Sequence, residues 1–80
     1  MAKYYVDAGD LKVIIDRPNA KRAAIDAFKT LTHNPVETLN GVTVVSEEGF
    51  EVVNDNDWGF STMELLEQSN QLGTYKSNLE

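Results

Sequence analysis

Apolar and polar residues alternate over Lys3–Asp7 and again over Leu11–Asp16. A period of two is the mark of a strand with one buried face. Asp7-Ala8-Gly9-Asp10 lies between the two runs. A four-residue loop suits it better than a tight two-residue turn, because Ala8 disfavours positive φ. Setting Val6 opposite Leu11 puts Tyr4 opposite Val13 on one face, and Lys3, Tyr5, Lys12 and Ile14 on the other.

The rhythm lengthens after Arg17-Pro18-Asn19, where proline starts a helix and Asn19 supplies the N-cap. Ala20, Ala24, Ala27, Phe28 and Leu31 recur at helical spacing, widened by Ala23 and Ile25. Alanines on that stripe let a helix lie close to a sheet. Lys21 and Arg22 sit in the first turn against the macrodipole, with Asp16 placed to offset them. The helix is expected to end near Thr32–Asn34, before Pro35. Val36–Asn40 reads as a connector and Asn40-Gly41 as a turn.

Alternation then returns. Val42–Ser46 and Phe50–Val53 form a second expected hairpin around Glu47-Glu48-Gly49, with Gly49 at the left-handed bulge position. This register sets Val44 opposite Val52, with Phe50 on the same face. Thr43, Val45, Glu51 and Val53 point the other way. Asn54-Asp55-Asn56-Asp57-Trp58-Gly59 links the hairpin to a closing helix. Ser61 is that helix's N-cap, and Glu64 has the spacing of a capping box. Phe60 and Leu65 have the spacing of a hydrophobic staple, and Gly73 supplies a left-handed stop. VDAGDLKV and VSEEGFEV share an outline about forty residues apart, which we attribute to common hairpin grammar rather than duplication.

The element order is therefore ββαββα. It predicts an α+β two-layer sandwich, a four-stranded antiparallel or mixed sheet with both helices on one face. The domain is expected over residues 1–74, with 75–80 a disordered C-terminal tail. The expected core joins Tyr4, Val6, Leu11, Val13 and Ile15 to Ala24, Ala27, Phe28 and Leu31. Val42, Val44, Phe50 and Val52 follow from the second hairpin, and Phe60, Leu65, Leu66 and Leu72 from the end of the chain. The outer sheet face, carrying Tyr5, Ile14, Val45 and Val53, is then unusually apolar, which suggests a homodimer through it.

Eighty residues bury roughly 60% of the unfolded chain's surface, so stability is marginal. With no cysteine, disulfides, thiolate metal sites and thiol nucleophiles are excluded. No apolar run reaches the roughly 18 residues of a membrane span, and the first ten residues lack a signal-peptide core. The expected location is cytoplasmic. Net charge is −6, unevenly placed. Residues 1–40 hold six basic and five acidic side chains, whereas residues 41–80 hold one and eight. Such an acidic surface repels nucleic-acid backbones; the plainer reading is that acidity keeps the protein in solution, and the sharper one that the acidic half meets a basic partner.

NDNDWG resembles the start of a calcium loop, but the frame that puts Gly59 at its sixth position puts Leu65 where the bidentate glutamate belongs. Asp55 and Asp57 leave only a weak site of another type. His33 is the only histidine and has no partner legible in the sequence. None of Ser46, Ser61, Ser69 and Ser77 lies in a nucleophile motif. No phosphate loop or zinc spacing occurs. No enzyme, metal or cofactor is expected.

Three stretches, YYVDAGDLKVII, EEGFEVV and FSTMELLE, resemble small uncharacterised proteins of marine bacteria and their phages. The resemblance carries no activity, cofactor or site residue. The functional expectation therefore rests on the residues: a non-enzymatic protein-interaction module, an adaptor or inhibitor, using Asp55, Asp57, Trp58 and a sheet edge. Trp58 has two readings, as a cap on one end of the core or as an interface anchor. The alternative function is nucleic-acid binding through Lys12, Arg17, Lys21 and Arg22. It rests on fold analogy and is disfavoured by charge and scarce aromatics.

Overall fold

The first hairpin forms β1, Ala2–Gly9, and β2, Lys12–Arg17, in the computed structural model, which describes residues 2–50 and 56–75. Its register sets Tyr4 opposite Ile15 and Val6 opposite Val13. The expected register, Val6 opposite Leu11, is thus displaced by two residues. The reason lies in the turn. In place of the expected four-residue loop at Asp7–Asp10 the chain closes more tightly: Ala8 N–H donates to the Leu11 carbonyl at 2.9 Å, and Gly9 takes the left-handed conformation (φ +94°), with its N–H donating to Asp7 Oδ1 at 3.1 Å. A Cβ at Gly9 would stand 3.0 Å from Asn40 Oδ1, so both the φ and the close approach of Asn40 require glycine there. Because side chains alternate with period two, a displacement of two keeps every residue on its face. Tyr4, Val6 and Leu11 are buried as expected, and Val13 and Ile15 pack against the core's margin.

The first helix, α1, runs Ala20–Lys29 and tightens into a 3₁₀ turn at Thr30–Thr32. Asn19 Oδ1 accepts from the N–H of Arg22 at 2.9 Å, the expected N-cap. Ala20, Ala23, Ala24, Ala27 and Phe28 are all buried, so the alanine stripe lies on the sheet. The first-turn cations are balanced by Asp26 and Glu64 rather than by Asp16.

The second half departs from expectation. Its third strand, β3, is Leu39–Ser46, and its partner is β4, Trp58–Ser61. The strand order is β2-β1-β3-β4, antiparallel throughout. Val44 is flanked by Asp7 on one side and Gly59 on the other, so the expected pairing with Val52 is not made. Glu51–Val53 lie outside the described residues. The faces of β3 are consequently exchanged. Leu39, Thr43 and Val45 are fully buried, while Val42 and Val44 are exposed. The outer face holds Ile14, Val42 and Val44, with Tyr5 half-buried and its ring perpendicular to that of Phe50, centroids 5.2 Å apart. Val45 does not belong to that face, and Val53 lies outside the described residues.

The second helix, α2, spans Thr62–Gln68 and is capped by Ser61, which accepts from the N–H of Glu64. The capping box is half made. The Glu64 carboxylate turns outward to Lys21 and Gln68 instead of back to the cap. The left-handed residue that stops α2 is Asn70 (φ 63°), not Gly73. Gln71 N–H donates to the Leu66 carbonyl and Asn70 N–H to that of Glu67, the paired bonds of a Schellman close. A single helical turn, α3, follows at Leu72–Tyr75 and contains Gly73. Tyr75 is buried, and its hydroxyl accepts from the N–H of Val36 at 3.2 Å. Tyr75 therefore belongs to the folded body, one residue past the expected boundary. Residues 76–80 lie outside the described residues. Both helices cover one face of the sheet, and Phe28, Leu65 and Leu66 fill the space between. No helix among the described residues is long and apolar enough to cross a membrane.

Candidate functional site

The β3–β4 ladder pairs Val45 with Trp58, and running it one step further brings the residues after Ser46 beside those before Trp58. Glu47, Glu48, Asn56, Asp57 and Trp58 line a shallow depression of about 150 Å³ at the end of the sheet. Trp58 shares the helix-covered face of Val45, and its ring meets that of Tyr4 edge to face, with centroids 5.7 Å apart. Only part of the indole is covered, and 37% of Trp58 remains accessible. One side of Trp58 thus packs against the core, and the other faces solvent among carboxylates. β4 is four residues long and, among the described residues, forms an edge of the sheet.

Of the expected site residues, Asp57 and Trp58 stand together in this depression. Asp55 lies outside the described residues. Glu47 and Glu48, which local pattern assigns to a hairpin loop, join the site because β3 pairs with residues 58–61. No local signal reveals that pairing, since it depends on which distant strand wins. Glu48 is anchored through its N–H, which donates to Ser46 Oγ at 3.0 Å. None of the ion pairs among the described residues uses Glu47 or Asp57. Among the described residues, no three His, Asp or Glu side chains gather as a metal site.

The basic residues of the alternative reading each have an acidic neighbour. Lys12 meets Asp7 at 2.9 Å, Lys21 meets Glu64 at 3.4 Å, and Arg17 and Arg22 converge on Asp26 at 2.6 and 3.0 Å. Lys29 approaches the same carboxylate at 3.5 Å. Asp26, with a side chain only 10% exposed, therefore ties the end of β2 to α1. Burial alone pushes its carboxyl up, but the hydrogen bonds and charges of Arg17 and Arg22 outweigh burial and hold it below the usual carboxylate range. A depressed folded-state pKa contributes stability above the unfolded value, about 3.9, that fades as pH falls through the folded one. Asp26→Asn is expected to cost about 1–2 kcal/mol at pH 7, the half-exposed cations regaining water. Urea melts at successive pH values should show the gap between variant and wild type closing below about pH 4. A gap independent of pH would mean that the charge of Asp26 is not what holds β2 to α1.

No family model matches the chain, and no curated protein or solved structure matches it. The functional reading accordingly rests on the geometry of this chain alone.

Proposed function

We propose that this protein is a non-enzymatic interaction module, an adaptor or inhibitor, that docks a basic extended segment of another protein at Trp58 and the β4 edge. The observation that carries this reading is a partly exposed indole, held against Tyr4, within a rim of Glu47, Glu48 and Asp57. An aromatic anchor with a polar rim is the usual form of an interface hot spot. A strand added at the β4 edge would gain main-chain hydrogen bonds, and its basic side chains would meet the carboxylates. The depression is too small for a typical substrate pocket of roughly 300 Å³ or more. The paired state of Lys12, Arg17, Lys21 and Arg22 supports this reading over nucleic-acid binding.

Capture of partners from a lysate of the source cell, read by mass spectrometry, tests it. Trp58→Ala is expected to lower affinity about 30-fold, a loss of roughly 2 kcal/mol. Because Trp58 also supports Tyr4, Glu47→Lys and Asp57→Lys are the companion variants, which leave that contact intact. They should weaken capture and its dependence on salt. Equal capture by all three variants would refute the proposal. Nucleic acid released by salt would shift the function to the surface bearing Lys12, Arg17, Lys21 and Arg22.

A further inference from the structure

The opposite edge of the sheet has a different character. In the first hairpin the N–H of Ala8 donates to the carbonyl of Leu11 at 2.9 Å. That bond sets the phase of the ladder, because bonded and non-bonded pairs alternate between antiparallel strands. Val13, Ile15 and Arg17 therefore spend their backbone groups on β1. Lys12, Ile14 and Asp16 turn theirs away from β1, to the open side of β2. The Asp16 carbonyl accepts from Arg17 Nη1 there and keeps a second lone pair. β2 contains no proline and no bulge against β1, and Ile14 at its middle is 55% exposed. Among the described residues no strand covers this edge, and an apolar centre flanked by Lys12 and Asp16 makes it a template for a strand of matching charge only.

The side chains specify which strand. On the outer face the hairpin forms three rows: Asp7 beside Lys12, Tyr5 beside Ile14, and Lys3 beside Asp16. Two copies of β2 laid antiparallel, with Ile14 of each on a twofold axis, bring Lys12 of one opposite Asp16 of the other. The outer rows then read Asp7, Lys12, Asp16, Lys3 across the two copies, alternating in sign without a like-charge neighbour. The middle row becomes continuous and apolar, from Tyr5 through two Ile14 side chains to the second Tyr5, with Phe50 covering each end. The same register pairs only residues whose backbone groups face outward, 12 with 16 and 14 with 14. On the inner face Val13 meets Ile15 of the second copy. An open groove of about 440 Å³ follows this edge, its lining including the apolar Leu11, Val13 and Val36 and the polar Asp10, Lys12 and Asn34, and the incoming Ile15 would turn into it beside Val13.

We propose that two copies of this protein associate through β2, in the register that sets Ile14 on the twofold axis, forming a continuous eight-stranded sheet. The interface lies on the edge opposite Trp58 and β4, so this proposal and the proposed function can fail separately.

Charge reversal at the two ends of the strand tests the register. Lys12→Glu sets a carboxylate against Asp16 at both ends of a self-pair. Asp16→Lys sets an ammonium against Lys12 at both ends. Each variant alone is expected to lose self-association by about tenfold or more. In an equal mixture, the glutamate introduced in one variant faces the lysine introduced in the other. At the far end of the same pair, the unaltered Asp16 faces the unaltered Lys12, and association should return. Light scattering after size exclusion, with circular dichroism to verify folding of each sample, reads the outcome. The expected masses are two chains for wild type, one for each variant, and two for the mixture. One chain mass for wild type at several hundred micromolar would overturn the proposal. So would a mixture that stays at one chain mass, or single variants that associate as wild type does.

Discussion

Val45→Lys is expected to unfold the domain, and Val44→Lys to leave it folded. The two residues are adjacent, and both are valines in β3. Val45 is fully buried, with Val6 opposite it on one side and Trp58 on the other. A lysine there must either lose its charge or break the core, and an unpaired buried charge costs several kcal/mol after relaxation. The whole stability of a chain this size is roughly 4–12 kcal/mol at 0.05–0.15 per residue, so that cost is decisive. Val44 is 41% exposed on the outer face and stands opposite Asp7. A lysine there keeps its water, faces a carboxylate, and gives up only some cross-strand apolar contact, about 1 kcal/mol or less. Urea melts followed by far-ultraviolet circular dichroism compare the variants directly. Unfolding by Val44→Lys with tolerance of Val45→Lys would mean that the two faces of β3 are assigned the wrong way round.

The second large effect concerns a pair of hydroxyls in the core. Thr43 of β3 and Thr62 at the start of α2 are both fully buried, with Oγ1 atoms 2.8 Å apart. Thr43→Val keeps the shape of the side chain and leaves the Thr62 hydroxyl buried with no partner at position 43. The penalty for such an orphan is about 1–3 kcal/mol, and Thr62→Val should cost a similar amount. The double variant removes both polar groups together and is expected to be near neutral or more stable than wild type. A double-mutant cycle by chemical denaturation measures the coupling. Strictly additive single effects would show that the two hydroxyls are satisfied elsewhere and that the pair does not register β3 against α2.

These two experiments bear on the same question, because β3 is where local patterning and the folded structure part. Val42-Thr43-Val44-Val45 offers a valine to either face, so the segment's own alternation is weak in one phase and no weaker in the other. The Glu47-Glu48-Gly49 turn favours a hairpin with residues 50–53 and thereby selects Val42 and Val44 for the core. The structure selects Leu39, Thr43 and Val45. Leu39, which local reading assigns to a connector, becomes a fully buried strand residue opposite Gly9. The latch that holds it is non-local: Asp10 N–H donates to the Thr38 carbonyl, and Thr38 N–H donates back to Asp10 Oδ2, both at 3.2 Å. The candidate site follows the same course. Trp58 and Asp57 are legible as an aromatic beside an acid, but their union with Glu47 and Glu48 requires β4 to begin at Trp58.

Everything legible from the spacing of residues alone is local or periodic. The ββαββα order, the Asn19 and Ser61 caps, the alanine stripe of α1 and the two faces of the first hairpin all follow from spacing within a few residues. Even the two-residue error in the first register was harmless, since a period of two restores every side chain to its face. The assembled fold alone selects the phase of β3, its partner strand and the burial of Tyr75. Each of these turns on contacts made across long stretches of chain: β1 against β3, Thr43 against Thr62, and Tyr75 against Val36. A local pattern cannot weigh those contacts, because their free energy exists only when the distant partner is already in place.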